Sequence, residues 1–237
     1  MRNLLASFVI GGLLAGGVTT TTTAGTLSIV DNIGGTWIDI SGSGLALNLS
    51  DDGEVNFFTT IGNSVFAAGT IRIGSNGAVR FGGTGLSLGF TNAPIPSANM
   101  FNGDQSLAVF WDDINTSGGI NGNIYVEEVG NTLVIQWDNV DFFGGDIDVA
   151  TFQIQVHGSG PGLAQFLYLD IEGARADGGG SATIGYQDGL AGFNDFQWSF
   201  NTSGAVLNGT VLTLVPAPGA LALLGLAGLV SRRRRRA

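Results

Sequence analysis

Cysteine is absent from all 237 residues, and lysine with it, because the nine basic residues are all arginine. The first absence removes disulfides, thiol nucleophiles, zinc fingers and iron–sulfur ligation together. The second removes Schiff-base chemistry and the P-loop lysine. A lone His157 leaves little for a histidine-based metal site. A Ser/His/Asp arrangement would need a G-x-S-x-G elbow, and Gly42-Ser43-Gly44 lacks that frame. Positive charge is scarce as well. Between the two ends stand only Arg72, Arg80 and Arg175, while all 19 acidic residues fall between Asp31 and Asp195. Three cations less 19 acids give the body a formal charge of −16, against −10 for the whole chain. Such a body repels nucleic acid and anionic membrane surfaces, which need clustered Lys and Arg. Divalent cations, neutral glycans and cationic surfaces remain as partners.

What is plentiful is glycine, 40 residues, at more than twice the average share of roughly 7 per cent. No G-X-Y period accompanies it, and 44% hydrophobic content with four Trp and fifteen Phe argues for a packed core. The two ends are organised differently from the middle. Arg2, the apolar stretch Leu4 to Val18, and Thr22 with Ala24 as small residues read as a secretory signal cleaved at Ala24. At the other end Val215-Pro216-Ala217-Pro218 precedes the apolar run Gly219 to Val230 and the arginines Arg232, Arg233, Arg234, Arg235 and Arg236. That run is about 18 Å long as a helix, short of the ~30 Å hydrocarbon core, so as an anchor it would span only with snorkelling arginines or local thinning. The positive-inside rule puts the arginines in the cytoplasm and the body outside. The chain thus divides into a signal peptide (1–24), a secreted body (25–214) and a sorting segment (215–237).

This tail resembles the PEP-CTERM sorting signal of many Gram-negative bacteria, in its Val215-Pro216-Ala217-Pro218 form. Ala217 stands where the family usually has Glu, and the family includes Ala there. The resemblance implies an exosortase, an intramembrane cysteine transpeptidase or protease, as processing partner alongside the general secretion machinery. It also implies export across the inner membrane to the cell surface or beyond, among exopolysaccharide, biofilm matrix or matrix proteins.

The body reads as strands throughout. Phe152, Ile154 and Val156 alternate with Gln153, Gln155 and His157, a period of two that predicts one buried and one wet face, with His157 solvated. Gly130-Asn131 predicts a two-residue hairpin between 123–128 and 132–137, and Ser75-Asn76-Gly77 a tight turn between 71–73 and 79–81. Further runs stand at 165–171, 182–186, 196–200 and 211–214. The fold class is therefore all-β, a β-sandwich of short antiparallel strands, flanked by an N-terminal signal helix and a C-terminal hydrophobic sorting helix. Across Ile73 to Gly189, four blocks in order resemble nidogen-like extracellular domains: "FWDD" at Phe110–Asp113, "V.W..V" around Trp137, "TFQ..V" at Thr151–Val156 and "ATIGY..G" at Ala182–Gly189. The cysteines of many animal members are missing. That resemblance implies a non-catalytic extracellular domain of adhesion or matrix contexts.

Few residues invite chemistry. Asp112 and Asp113 follow Trp111, and only Asp113 shares a strand face with that ring. A calcium site there could draw on Asn115, Asp138 or Asp141, and Asp146-Ile147-Asp148 has the alternating spacing of a calcium loop. The simpler account, an Asp capping a turn after a buried Trp, is the expectation. Trp37, Trp111, Trp137 and Trp198 could form a sugar-stacking platform, but each sits in an apolar strand pattern that suits a core. No catalytic or cofactor-binding residue stands out. The expected function is an exported, exosortase-processed surface or matrix protein without enzymatic activity. The alternatives are a secreted carbohydrate-binding module, needing an exposed Trp or Tyr, and a glycan hydrolase or lyase, needing a cleft with two carboxylates or an acid–Tyr pair.

Overall fold

A computed structural model describes residues 27–31, 35–82, 87–116, 122–144, 149–160, 162–171, 177–189 and 194–216. Ala24, Ala217, Pro218, Arg232 to Arg236, and both segments expected to be signal and sorting helices, lie outside them. No helix among the described residues is long and apolar enough to cross a membrane.

Among the described residues fourteen strands, numbered along the chain, form two antiparallel sheets. The larger sheet runs β1 (Leu27–Asp31), β14 (Val211–Pro216), β11 (Ala164–Asp170), β10 (Ala150–His157), β9 (Thr132–Phe142), β8 (Asn123–Val129) and β2 (Leu45–Ala46), with β7 (Ile114–Asn115) also on β9. The smaller runs β13 (Phe196–Phe200), β12 (Thr183–Gln187), β6 (Ser106–Trp111), β5 (Ala78–Phe81), β4 (Gly69–Gly74) and β3 (Glu54–Thr59). Both expected turns form. Val129 pairs with Thr132 across Gly130-Asn131. Gly77, at φ +74, closes the β4–β5 hairpin so near β6 that a Cβ would lie 2.0 Å from the Phe110 carbonyl oxygen. Only glycine tolerates both conditions.

Alternation along each strand sends one set of side chains between the sheets. From the larger sheet come Leu133, Ile135, Trp137, Phe152, Ile154, Phe166, Tyr168 and Leu212, and from the smaller Ile71, Ile73, Val79, Leu107, Val109 and Phe110. Trp137 stacks on Phe152 at 5.1 Å, and its indole N–H donates to the carbonyls of Gly74 and Ser75 in the opposite layer. Tyr168 likewise donates to the Val109 carbonyl at 2.7 Å. Two polar tips thus satisfy backbone groups of the facing sheet without admitting water.

A bulge in β6 changes which face Trp111 occupies. Thr183 is opposite Trp111 but Gly185 is opposite Ala108, and the N–H groups of Val109 and Phe110 both reach the Gly77 carbonyl. The extra residue turns Val109 and Phe110 both inward and sends Trp111 to the outer face of the smaller sheet. There it is fully buried with Leu88, Met100 and Phe101, beneath the segment 87–104.

The expectation of a wet face on β10 fails. Gln153 and Gln155 are buried, as are Gln136 on β9 and Gln165 on β11. The segment 35–44 crosses the larger sheet from the β14 side to β8 and covers them. A chain running across strands cannot pair with their backbones, so its own N–H and C=O groups need side-chain partners. Gln153 gives Ile38 both, at 3.4 and 3.1 Å. Gln136 accepts from the Ile40 N–H at 3.1 Å, and Gln155 donates to the Thr36 carbonyl at 2.8 Å. His157 is not solvated either. It is half-buried, within hydrogen-bond reach of Thr132 and Gln165.

Candidate functional site

Asn76 is buried in the β4–β5 turn and works in two directions. Its side-chain N–H donates to Asp52 at 2.8 Å, and its oxygen accepts from the Ile114 N–H at 2.9 Å. The Ser75 N–H also donates to the Gly53 carbonyl at 2.8 Å. These bonds hold the turn before β3 against the segment that leaves β6. Asp51, Asp52 and Asp113 consequently meet, one carboxylate oxygen of each within 4.8 Å of the others. They line an open pocket of about 290 Å³ with the half-exposed rings of Phe90 and Phe143.

Three carboxylates supply part of the six to eight oxygens that calcium takes. Asp51 Oδ1 is buried without a hydrogen-bond partner, and Asp52 is anchored by Asn76. The arrangement could hold a hard cation. Among the described residues Arg72 pairs with Glu54, and Arg80 with Asp104.

The expected acids separate. Asp112 is buried, its carboxylate accepting the Asp113 N–H and the Ser181 hydroxyl, which is the turn-capping role. Asp113 belongs to the trio. Asp138 and Asp141 do not complete its site. Asp141 accepts the N–H of Phe142, and Asp138 lies beside Gln136 on the outer face, where burial lifts its carboxyl above the ordinary range and the Asp39 charge adds to the shift. Asn115 pairs with Asp141 in the β7–β9 ladder. Asp146 and Asp148 lie outside the described residues. Sequence reasoning missed Asp51 and Asp52, and the Asp51-Asp52-Gly53 turn gave no sign of its distant partner.

The tryptophans make no platform. Trp111 and Trp137 are fully buried, Trp198 packs on the core and donates to the Ala205 carbonyl, and Trp37 is half-buried in the crossing segment. An acid–Tyr pair exists, Tyr186 donating to Asp188 at 2.9 Å, but Tyr186 is wholly buried and burial pushes its phenol far up. It is a core contact.

Residues 29–220 match the family model described as NIDO related. The chain belongs to the NIDO-related family. The match extends the nidogen-like resemblance in both directions from 73–189 and takes in both sheets, including β1 and β14. As a NIDO-related domain, the body is consistent with an extracellular protein of structural or adhesion type. No curated protein and no solved structure matches the chain.

Proposed function

We propose that the chain is an exported, non-catalytic surface or matrix protein of a Gram-negative-type bacterium, displayed as a NIDO-related sandwich and sorted by an exosortase through its tail. The observation that carries this reading is where the body's ends lie. Leu27, directly after the signal segment, is the Cα partner of Pro216, inside the sorting motif. Val215 and Pro216 are thus the last residues of β14, so the sorting motif begins inside that strand. The described body thus begins and ends on neighbouring strands at one edge of one sheet. With both ends at one edge, the rest of the body's surface is left for display. The acidic body suits this placement, since its charge keeps it off anionic lipid.

The mechanism is display. The signal starts export, the short apolar run holds the body at the inner membrane, and cleavage near Pro216-Ala217-Pro218 releases or attaches it outside, among exopolysaccharide and matrix proteins. The burial of Trp111 and Trp137 favours this over a carbohydrate-binding module. The test is to compare the full chain with one lacking residues 219–237, which leaves β14 whole, in a host that carries an exosortase. Retention at the surface or in the matrix should require the tail and the exosortase. Identical localisation of both chains would overturn the reading.

A further inference from the structure

Gln165 and Thr213 stand directly opposite each other on β11 and β14, and both are buried on the outer face of the larger sheet. The Gln165 carboxamide is held at both ends. Its Nε2 donates to the Thr213 hydroxyl oxygen at 3.2 Å, and its Oε1 lies 3.1 Å from His157 Nε2. A carbonyl oxygen only accepts, so His157 Nε2 carries the proton and Nδ1 accepts from the Thr132 hydroxyl at 3.1 Å. A nucleophile therefore touches the leaving nitrogen while a ring N–H points at the oxygen that would become negative.

Backbone closes over the pair. A Cβ on Gly35, in the crossing segment, would lie 3.2 Å from Gln165 Oε1, and one on Gly162 would lie 3.0 Å from the Thr213 methyl. Two glycines thus bring main chain onto the reacting groups, where larger residues would hold it away and let water in. Water is the competitor that would hydrolyse an acyl product, and this packing excludes it.

We propose that Thr213 and Gln165 form an intramolecular ester cross-link. Thr213 Oγ1 attacks Gln165 Cδ, and a C–O bond forms as the C–N bond breaks. The hydroxyl proton passes to the departing nitrogen, which leaves as ammonia. The charge that develops on Oε1 is stabilised by the His157 Nε2–H, as in an oxyanion hole. No oxidant or second reactant enters. A chain without cysteine or lysine can make neither a disulfide nor a lysine amide, and this ester needs neither. It joins residues 48 positions apart and fastens the strand that leads into Val215-Pro216. The cross-link stands independently of how the tail is processed.

The test is intact-mass measurement and peptide mapping of the full chain as its host exports it. The mature protein should be lighter than its sequence by one ammonia, with one linked peptide containing Gln165 and Thr213 that mild alkali or hydroxylamine separates. Thr213→Val keeps the shape and removes the nucleophile, so its mass should equal its sequence mass. Gln165→Glu, with no ammonia to lose, serves if the first variant does not fold. His157→Gln should slow the appearance of the deficit in a time course after synthesis. A folded wild-type protein at full mass, with the two residues in separate peptides, overturns the proposal. So does an ammonia deficit that persists in either folded variant.

Discussion

Each sheet of the sandwich has an outer face roofed by its own chain, and the two roofs are built on different principles. Over the larger sheet, 35–44 is held by amides: Gln136, Gln153 and Gln155 rise from neighbouring strands and bond to one another and to the backbone above. Over the smaller sheet, 87–104 is held chiefly by an apolar plug, Leu88, Met100 and Phe101 on Trp111, Ala78 and Ala108. Amides help there too, Gln187 accepting from Ser97 and Gln197 from Ile95. The second roof also covers a flaw by the usual rules. Arg80 is buried with Nε and Nη2 unpartnered, and only its Nη1 reaches Asp104, which is itself half-exposed. The contrast teaches that a polar residue on an outer face is not evidence of water. It can mark where another stretch of chain needs hydrogen bonds.

The comparison can be broken most forcefully at Trp111. Trp111→Ala empties the plug and abandons the Gly89 carbonyl, and should cost about 3–5 kcal/mol in urea unfolding. A loss below ~1 kcal/mol would mean that the roof does not depend on its apolar contacts. Gln153→Ala strands both backbone groups of Ile38 and should cost roughly 1–3 kcal/mol, and Gln153→Met should not rescue it, because volume is not what the amide supplies. Arg80→Met sharpens the contrast by going the other way. It removes a poorly paired buried charge and leaves Asp104 solvated, so stability should be unchanged or higher. A substantial loss would make Arg80 an anchor of its roof.

The smallest effect lies where β8 meets the turn after β3. Glu128 on β8 accepts from the Thr59 hydroxyl and from the N–H and hydroxyl of Thr60, clasping one sheet to the other. Those bonds hold its carboxyl below the ordinary range. Its contribution is present above the unfolded-state pKa and is lost as pH falls through the depressed folded value. Glu128→Gln should therefore flatten the acid side of the stability–pH curve slightly. An unchanged acid limb would remove Glu128 from the clasp.

Local chemistry made much of the layout legible. Asn76-Gly77 and Gly130-Asn131 marked hairpins because positive φ is a property of one or two residues. The alternation in 152–156 identified a strand and its core face for the same reason. What could not be read is what lies on top. The sequence pattern of Gln153 and Gln155 is that of a solvated face, and only the path of residues 35–44 reverses it. Trp111 gave no sign of the bulge that turns it outward, since that register depends on Gly77 and β12. The acid trio depended on Asn76, a turn residue on its face, bracketing two segments far apart in the chain. Asp112 accepts from its neighbour Asp113, a local contact, and from the Ser181 hydroxyl, which comes from 69 residues away and was not legible.

The meeting of Leu27 with Pro216 has one more consequence. A body whose first and last strands end side by side occupies almost no contour between its attachment points. It can be spliced into a surface loop of another protein, and the host has only to open that loop by the spacing of two paired strands.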